Sequence, residues 1–183
     1  MSTILSFPFF RPTGASLRTL LAAVLLSGLA LGQPALAQVS CPQDNSDGPP
    51  VVNNQHIFCG EINGKGRATG FHSRPGGIDP EPVSGIGDPV PKGPAGIYNL
   101  YDFYITQDGA TGKKAISTMF PDTCTKDNVL AAIRNARENG QVRGREFTGP
   151  SGDYCKAGKP PKPFEIKGFL DDDGDIVTAY PNY

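Results

Sequence analysis

The chain contains two histidines, His56 and His72, which lie 16 positions apart in one glycine-rich segment. Histidine is the side chain whose ordinary pKa, about 6.5, allows it to take up and release a proton near neutral pH. Two histidines at one site can therefore serve as the base and the acid of a single proton-transfer cycle. The alternative is that both are ordinary structural or surface residues, which residue type alone does not exclude.

The segment around the histidines is unusually dense in glycine. Glycine adopts turns with positive φ and permits close backbone approach, so a hairpin-like return could bring His56 and His72 to one cleft. A flexible surface loop would have the same composition. The glycines concerned are Gly60, Gly64, Gly66, Gly70, Gly76 and Gly77.

Two further groups of polar residues could join this chemistry. Thr178 and Tyr180 point the same way on a predicted C-terminal strand, because side chains alternate along a strand. A hydroxyl and a phenol on one face suit a phosphate-bearing ligand, and the ring can stack on a base; an ordinary strand also uses these residues. Lys113 or Lys114 could stabilise a developing oxyanion, or form a solvated strand end.

Four motifs occur in order along the chain. They are His-Ile-Phe-Cys-Gly-Glu-Ile at 56–62, Gly-Arg-Ala-Thr-Gly-Phe-His-Ser at 66–73, Lys-Ala-Ile-Ser-Thr-Met-Phe-Pro at 114–121 and Ile-Val-Thr-Ala-Tyr-Pro at 176–181. Each motif is weak by itself, but in this order they resemble the bacterial EndoU nuclease domain. The resemblance covers residues 55–183.

This resemblance implies an RNA endonuclease on the fold shared by barnase, EndoU, colicin-type and RelE nucleases. It further implies a site made of two histidines, a lysine, and a hydroxyl residue paired with a tyrosine. Lys114 is the better match for the lysine, with Lys113 nearly as good, and Glu61 matches a motif residue that we expect to be structural. The matching residues are His56, His72, Lys114, Thr178 and Tyr180.

The implied reaction uses the 2′-hydroxyl of RNA as nucleophile and leaves 2′,3′-cyclic phosphate and 5′-hydroxyl ends. We expect His56 to be the acid and His72 the base, although the sequence does not fix this direction. Tyr180 would stack on the ribose or base, and Thr178 would contribute to a preference for uridine. The chemistry requires no metal cofactor, although some relatives depend on manganese, so Mn²⁺ dependence stays open.

The first 37 residues predict a secretory signal peptide, with an uncleaved membrane anchor as the alternative. A basic start, an apolar run over 20–31 and a small-residue cleavage site at 35–37 are typical of such peptides. We therefore predict a secreted or periplasmic protein without stable membrane association, an irregular lead-in over 38–54 and a nuclease domain over 55–183.

Charge gives little support for general attraction to nucleic acid. The leader contains two of the 17 basic residues and none of the 18 acidic ones, so the mature chain has 15 basic and 18 acidic residues and a net charge near −3. RNA binding would then need a local basic patch. The basic residues of 134–167 could form one, or could be an ordinary solvated helix face and loop.

Four cysteines in the exported part suggest two disulfides. Three pairings are possible, and we favour Cys41–Cys59 and Cys124–Cys155 because shorter loops close more readily. A zinc site is the alternative, but the close spacing typical of one is missing. The acidic turn at 171–174 could be mistaken for a calcium loop, yet it lacks the distal glutamate.

The elements predicted to carry these residues indicate an α+β fold with a mostly antiparallel sheet of four or more strands, stapled by disulfides. Loop and helical material would pack on that sheet. Residues 78–96 and 140–163 are predicted to be loops. Strands are expected over 97–105, 113–120, 164–170 and 175–180, with a helix capped by Thr125 and ending near Asn139.

Three functions are compatible with these observations. The first is a secreted endoribonuclease, which for an antibacterial toxin would have RNA and a cognate immunity protein as partners. The second is a disulfide-stapled binding module without activity. The third is an exported metal-binding protein that uses His56, His72 and aspartates.

Overall fold

The computed structural model describes residues 40–42 and 45–183, so the predicted signal peptide lies outside the described residues. All pairs among the named strands are antiparallel, and the predicted α+β class is confirmed. The elements are α1 (Asn54–Phe58), β1 (Glu61–Ile62), β2 (Ala68–Thr69), β3 (Val83–Ser84), β4 (Val90–Pro91), β5 (Tyr98–Gln107), β6 (Ala110–Met119), α2 (Lys126–Asn139), β7 (Gln141–Arg143), β8 (Glu146–Pro150), β9 (Glu165–Leu170) and β10 (Ile176–Pro181).

Two sheets form the framework. One has the order β10-β9-β8-β7, and the other is built on the long β5–β6 hairpin, to which β3 and β4 add two-residue pairings. The prediction that residues 78–96 contain no strand was therefore wrong. Two-residue strands are too short to give an alternating pattern in a sequence, and proline and glycine dominate the residues around them.

The prediction of a loop over 140–163 was also wrong, because β7 and β8 lie within it. Phe147 is fully buried in β8, while its neighbours Glu146 and Thr148 are only half-buried. One apolar residue among glycine and charged residues is too weak a signal for a strand. The strand exists because Phe147 packs beneath α2.

Helix α2 begins and ends as predicted. The hydroxyl of Thr125 accepts a hydrogen bond from the amide of Asn128, which satisfies one of the free amides of the first turn. The predicted apolar stripe of Val129, Ile133 and Ala136 is fully buried. It covers one face of the β8–β9 part of the sheet. The opposite face has partly exposed side chains, such as those of Lys167 and Phe169, and is referred to below as the open face of this sheet.

In the β5–β6 hairpin, the alternation of side chains between the two faces is interrupted at Asp102, which has a φ of +54°. Leu100 and Phe103 are consequently both buried although they lie three positions apart. The register with β6 is unbroken, so Leu100 opposes Ser117 and Phe103 opposes Lys114. Opposed residues of an antiparallel pair share a face. Lys114 and Ser117 therefore lie on one face, where regular alternation would separate them.

Strand β10 contains a β-bulge between Ile176 and Thr178. The bulge allows Ile176 and Ala179 to be buried in the same core although they also lie three positions apart. Thr178 and Tyr180 consequently share the open face of the sheet, as the alternation predicted. Bulges of this kind commonly redirect side chains beside functional sites.

Both predicted disulfides are confirmed. Cys41 is bonded to Cys59 and Cys124 to Cys155, with Cα–Cα separations of 5.9 and 5.6 Å. The first bond joins the lead-in to the C-terminal end of α1. The second joins the segment before α2 to the loop after β8, so both reinforce the core that α2 shares with the β10-β9-β8-β7 sheet.

Candidate functional site

Helix α1 holds His56 in a buried position. The side chain of Asn53 accepts a hydrogen bond from the His56 amide and so caps the start of this short helix. Only 8% of His56 is exposed. The helix was not predicted, because five residues in a glycine-rich setting give no helical period.

The ring of His56 is oriented by a carboxylate. Its Nδ1 lies 2.8 Å from Oε1 of Glu61 on β1. Hydrogen bonding to His56 lowers the pKa of Glu61, so this carboxyl is ionised at neutral pH. The Nδ1–H group of His56 thus donates to a negative charge, and Nε2 is the nitrogen left for a ligand. Glu61 is therefore a direct partner of the histidine.

His72 is fixed by the backbone around it. The amides of Phe71 and His72 donate to the carbonyls of His56 and Ile57, each at 2.7 Å. These bonds satisfy carbonyls at the end of α1 that have no partner within the helix. The carbonyl of His72 in turn accepts from the amide of Phe120 at 2.7 Å. The two histidines are consequently held by one shared hydrogen-bonded junction.

This junction requires a glycine. Gly70 has a φ of +75°, and a Cβ placed there would lie 2.3 Å from the carbonyl oxygen of His56. Phe71 follows with a φ of +59°, which is unusual for a residue with a side chain. Its ring is fully buried against Phe103. The packing of Phe71 therefore maintains the turn that presents His72.

The ring of His72 has a different set of partners. Nδ1 lies 3.1 Å from the carbonyl oxygen of Thr118 and 2.9 Å from the hydroxyl of Ser117. Ser117 donates its own proton to the carbonyl of Phe71 at 2.6 Å. A carbonyl can only accept, so this network assigns the proton to Nδ1 of His72. Nε2 is then an unprotonated acceptor.

The environment favours the neutral form of His72. Burial is the main cause that lowers its pKa well below 6.5, and the positive charges of His56 and Lys114 act in the same direction. The hydrogen bond to Thr118 opposes this shift only in part. His72 is therefore an uncharged imidazole at neutral pH.

The predicted site residues from both ends of the domain converge. The ring centroids of His56 and His72 are 5.9 Å apart, and those of His72 and Tyr180 are 5.2 Å apart. Thr178 neighbours Tyr180 on the same face of β10. Its hydroxyl oxygen is covered and has no hydrogen-bond partner within residues 40–42 and 45–183.

The two candidate lysines differ in their surroundings. Lys113 is exposed and forms an ion pair of 2.8 Å with Asp102. Lys114 lies half-buried on the face that it shares with Ser117, and its charge acts on His72. Burial lowers the pKa of Lys114. Lys114 is thus the lysine on the histidine side of the hairpin.

A buried ionic network supports the segment after His72. The Arg74 guanidinium contacts Asp79 at 2.8 Å and the hydroxyl of Tyr98 at 2.7 Å, and Tyr98 donates to Asp122. Arg74 is only 9% exposed. Sequence inspection missed this network and also Ser117, whose role depends on a contact 45 positions away.

The basic residues of 134–167 do not form one face. Arg134 on α2 donates to Ser46 and to the carbonyl of Pro50, so it fastens the lead-in to the helix. Lys167 lies on the open face of the sheet, beside Tyr180. Helix α2 and this open face are on opposite sides of the sheet, which separates the two groups of charges.

Across the described parts of the chain, no three His, Cys, Asp or Glu residues are grouped so that they could hold a metal ion. Within the same residues, no helix is both long and apolar enough to cross a membrane.

Comparison with known families gives one match. The model of the family described as bacterial EndoU nuclease matches residues 50–183. Neither curated proteins nor solved structures yield a match. The matched range contains every residue of the site described above.

Proposed function

Because the chain belongs to the bacterial EndoU nuclease family, and membership of this family implies RNA as the substrate, we propose that it is an endoribonuclease acting by 2′-hydroxyl attack. The observation that carries the proposal is the contrast between the two histidines. Nδ1 of His56 faces a carboxylate, whereas Nδ1 of His72 faces a carbonyl. The two imidazoles thus have surroundings that suit two different roles in proton transfer.

His72 is the general base. Its proton lies on Nδ1, so the Nε2 lone pair is available to take the proton of the 2′-hydroxyl. Because its pKa is lowered, the neutral form dominates at neutral pH. The freed 2′-oxygen attacks the adjacent phosphorus, and the new O–P bond closes the 2′,3′-cyclic phosphate.

His56 is the general acid. As the bond from phosphorus to the 5′-oxygen breaks, protonated His56 donates the Nε2 proton to that oxygen and leaves a 5′-hydroxyl end. The Glu61 carboxylate compensates the positive charge of the ring before the transfer. Each proton transfer of this kind contributes about 10²–10⁴-fold to the rate.

Lys114 stabilises the negative charge that develops on the phosphoryl oxygens. Its ammonium makes no ion pair within the described residues, so its charge is not compensated by a protein carboxylate. A half-buried charge acts more strongly than an exposed one. No step in this scheme uses a metal ion, and assays with EDTA and with added Mn²⁺ test this directly.

Thr178 and Tyr180 bind the nucleotide whose 2′-hydroxyl reacts. The Tyr180 ring lies beside the His72 ring and can stack on ribose or base. An unpaired buried hydroxyl costs about 1–3 kcal/mol, and a rotation of the Thr178 side chain that turns its covered hydroxyl toward a uracil edge would supply the partner that it lacks. This supports a preference for uridine.

Export is the second part of the proposal. Residues 1–37 would direct the chain to the periplasm or beyond, where both disulfides are stable. An exported ribonuclease is suited to act as an antibacterial toxin, and its producer would then need an immunity protein. Expression of the full chain, followed by N-terminal sequencing of the exported product, tests the cleavage site.

Activity is tested with the purified mature protein and a uridine-containing RNA oligonucleotide. We expect 2′,3′-cyclic phosphate products by mass spectrometry, and no cleavage when the uridine is replaced by deoxyuridine. His56→Ala and His72→Ala should each lower the rate by about 10²-fold or more. Lys114→Ala should lower it as well, while Lys113→Ala is the matched control. Variants of either histidine within tenfold of wild type would contradict the mechanism.

A further inference from the structure

The open face of the β10-β9-β8-β7 sheet continues away from the histidines. Tyr180 lies directly opposite Lys167 on β9, and Thr178 lies directly opposite Phe169. Opposed residues of an antiparallel pair project to the same face. These four side chains therefore form a two-by-two patch, half of which is already assigned to the reacting nucleotide.

Phe169 lies outside the packed core of this sheet. It belongs to neither of the two buried clusters, whereas its neighbours Leu170 and Ile166 on the same strand are core residues. It is half-exposed. The ammonium of Lys167 lies 5.5 Å from its ring centroid. An aromatic ring is thus held on an open sheet face, one strand away from the proposed nucleotide pocket.

From this arrangement we infer a second nucleotide subsite, in which Phe169 stacks on a base adjacent to the cleaved uridine. The inference rests on the proposed ribonuclease function. Aromatic side chains on open sheet faces are suited to single-stranded RNA because every base presents a π-face. Adjacent strands are about 4.8 Å apart, which places Phe169 within reach of a neighbouring nucleotide.

The charges of the patch favour a base over a phosphate as the ligand. Lys167 is paired with Glu146 at 2.8 Å, so its charge is largely compensated. Glu146 also lies on this face, directly opposite Phe169. A phosphate would meet that carboxylate, whereas an uncharged base would meet the ring. Lys167 then acts by holding the ring of Phe169.

The order of residues across the site gives the direction of the strand. His56 donates to the departing 5′-oxygen, so the departing nucleotide lies on the His56 side. The uridine lies at Tyr180 of β10, whose ring adjoins the His72 ring at a centroid distance of 5.2 Å. Phe169 lies opposite Thr178 on β9, one strand further from the His56 helix α1, because β10 is the edge strand of this sheet and contacts α1. The subsite therefore takes the nucleotide on the 5′ side of the cleaved uridine.

Three short substrates test this inference: UpA, the 5′-extended ApUpA and the 3′-extended UpApA. In the wild-type protein, ApUpA should have a kcat/KM about 5- to 150-fold above that of UpA, the range that one base–aromatic stack gives. Phe169→Ala should remove this gain and leave UpA and UpApA within twofold of wild type. Unchanged cleavage of UpA also reports that the variant is folded.

Tyr104→Ala is the matched control, because Tyr104 is an exposed aromatic residue (43%) of the other sheet; it should retain the gain. An abasic residue at the 5′ position of ApUpA should abolish the gain in the wild type. Equal kcat/KM for UpA and ApUpA, or equal losses on all three substrates in Phe169→Ala, would overturn the subsite alone. A wild-type protein that cleaves none of the three would overturn the ribonuclease function itself.

Discussion

The two imidazoles differ in the partners of their Nδ1 atoms, and burial in addition lowers the pKa of His72. A carboxylate at Nδ1 of His56 compensates a positive ring, whereas a carbonyl at Nδ1 of His72 fixes the proton of a neutral one. The charges add to this difference, because His56 itself lowers the pKa of His72. Protonation of one ring thus favours the neutral form of the other.

Removing the charge of Glu61 tests this division of roles. Glu61→Gln keeps the shape and a hydrogen bond but no longer compensates the protonated ring of His56. Since a hydrogen bond to a charged group contributes about 1.5–3 kcal/mol, we expect kcat to fall about 10- to 100-fold with little change in KM. Steady-state kinetics on a uridine oligonucleotide would show this. A loss confined to KM would instead indicate a role in substrate binding.

The pH profile tests the electrostatic effect of Lys114. Because the folded pKa of His72 is lowered, the acidic limb of kcat/KM should fall below pH 6.5. The positive charge of Lys114 contributes to that lowering, so Lys114→Met should raise the pKa of His72. The acidic limb should consequently move to higher pH, beside an overall loss of rate.

Lys113→Met provides the control for that measurement, because Lys113 is exposed and paired with Asp102. Its profile should coincide with that of the wild type. An acidic limb that stays in place in Lys114→Met would mean that the charge of Lys114 does not contribute to the lowered pKa of His72.

The sequence predicted which residues to examine, but it could not predict how their hydrogen bonds are arranged. Rarity and motif order singled out His56 and His72. The contact between His72 and Ser117 spans 45 positions, and the position of Lys114 on the same face as Ser117 depends on the irregular backbone at Asp102. No local sequence pattern indicates a contact of that kind, so Ser117 cannot be distinguished from an ordinary strand residue in the sequence.

At the scale of elements, the turn at Gly70 joins α1 to the segment that presents His72. Gly70→Ala should place a Cβ 2.3 Å from the His56 carbonyl oxygen, which forces that junction apart. We expect a loss of stability above the 1–2 kcal/mol of left-handed strain alone and a loss of kcat of more than tenfold. Thermal unfolding and kinetics measure the two effects.

Gly66→Ala is the control that separates the strain of a positive φ from the steric clash with the His56 carbonyl oxygen. Gly66 has a similar φ of +70°, but a Cβ there has no atom within 4 Å. This variant should lose about 1–2 kcal/mol and keep its activity. Equal losses of kcat in Gly66→Ala and Gly70→Ala would show that the strain of a positive φ, and not the clash with the His56 carbonyl oxygen, lowers the rate.

The elements predicted correctly are those with a long period or a clear cap. The β5–β6 hairpin, α2, β9 and β10 are each six residues or longer and have several buried positions, which are regularly spaced in α2 and β9 and interrupted once in the hairpin and in β10. The short elements α1, β3, β4, β7 and β8 were missed because two to five residues cannot establish a period. Their strand pairing and burial come from tertiary packing.

At the scale of the molecule, the site joins parts that are far apart in the chain. The histidines come from the first third of the described residues, Lys114 and Ser117 from one sheet, and Tyr180 from the other. Activity therefore depends on how firmly the lead-in, α1 and the two sheets are held together. The disulfides contribute to this in different places.

The two disulfides should consequently affect stability alike but activity differently. They close loops of 18 and 31 residues, which by loop entropy are worth about 3 and about 4 kcal/mol. Cys41–Cys59 ends α1, three positions after His56, whereas Cys124–Cys155 joins segments at the ends of α2 and β8. Paired alanine substitutions should each lower the free energy of unfolding by these amounts.

At a temperature where both variants remain folded, the Cys41→Ala/Cys59→Ala variant should lose kcat and the Cys124→Ala/Cys155→Ala variant should not. Equal kcat in both would mean that the shared junction of His56 and His72 is held by its own hydrogen bonds, without help from the covalent link.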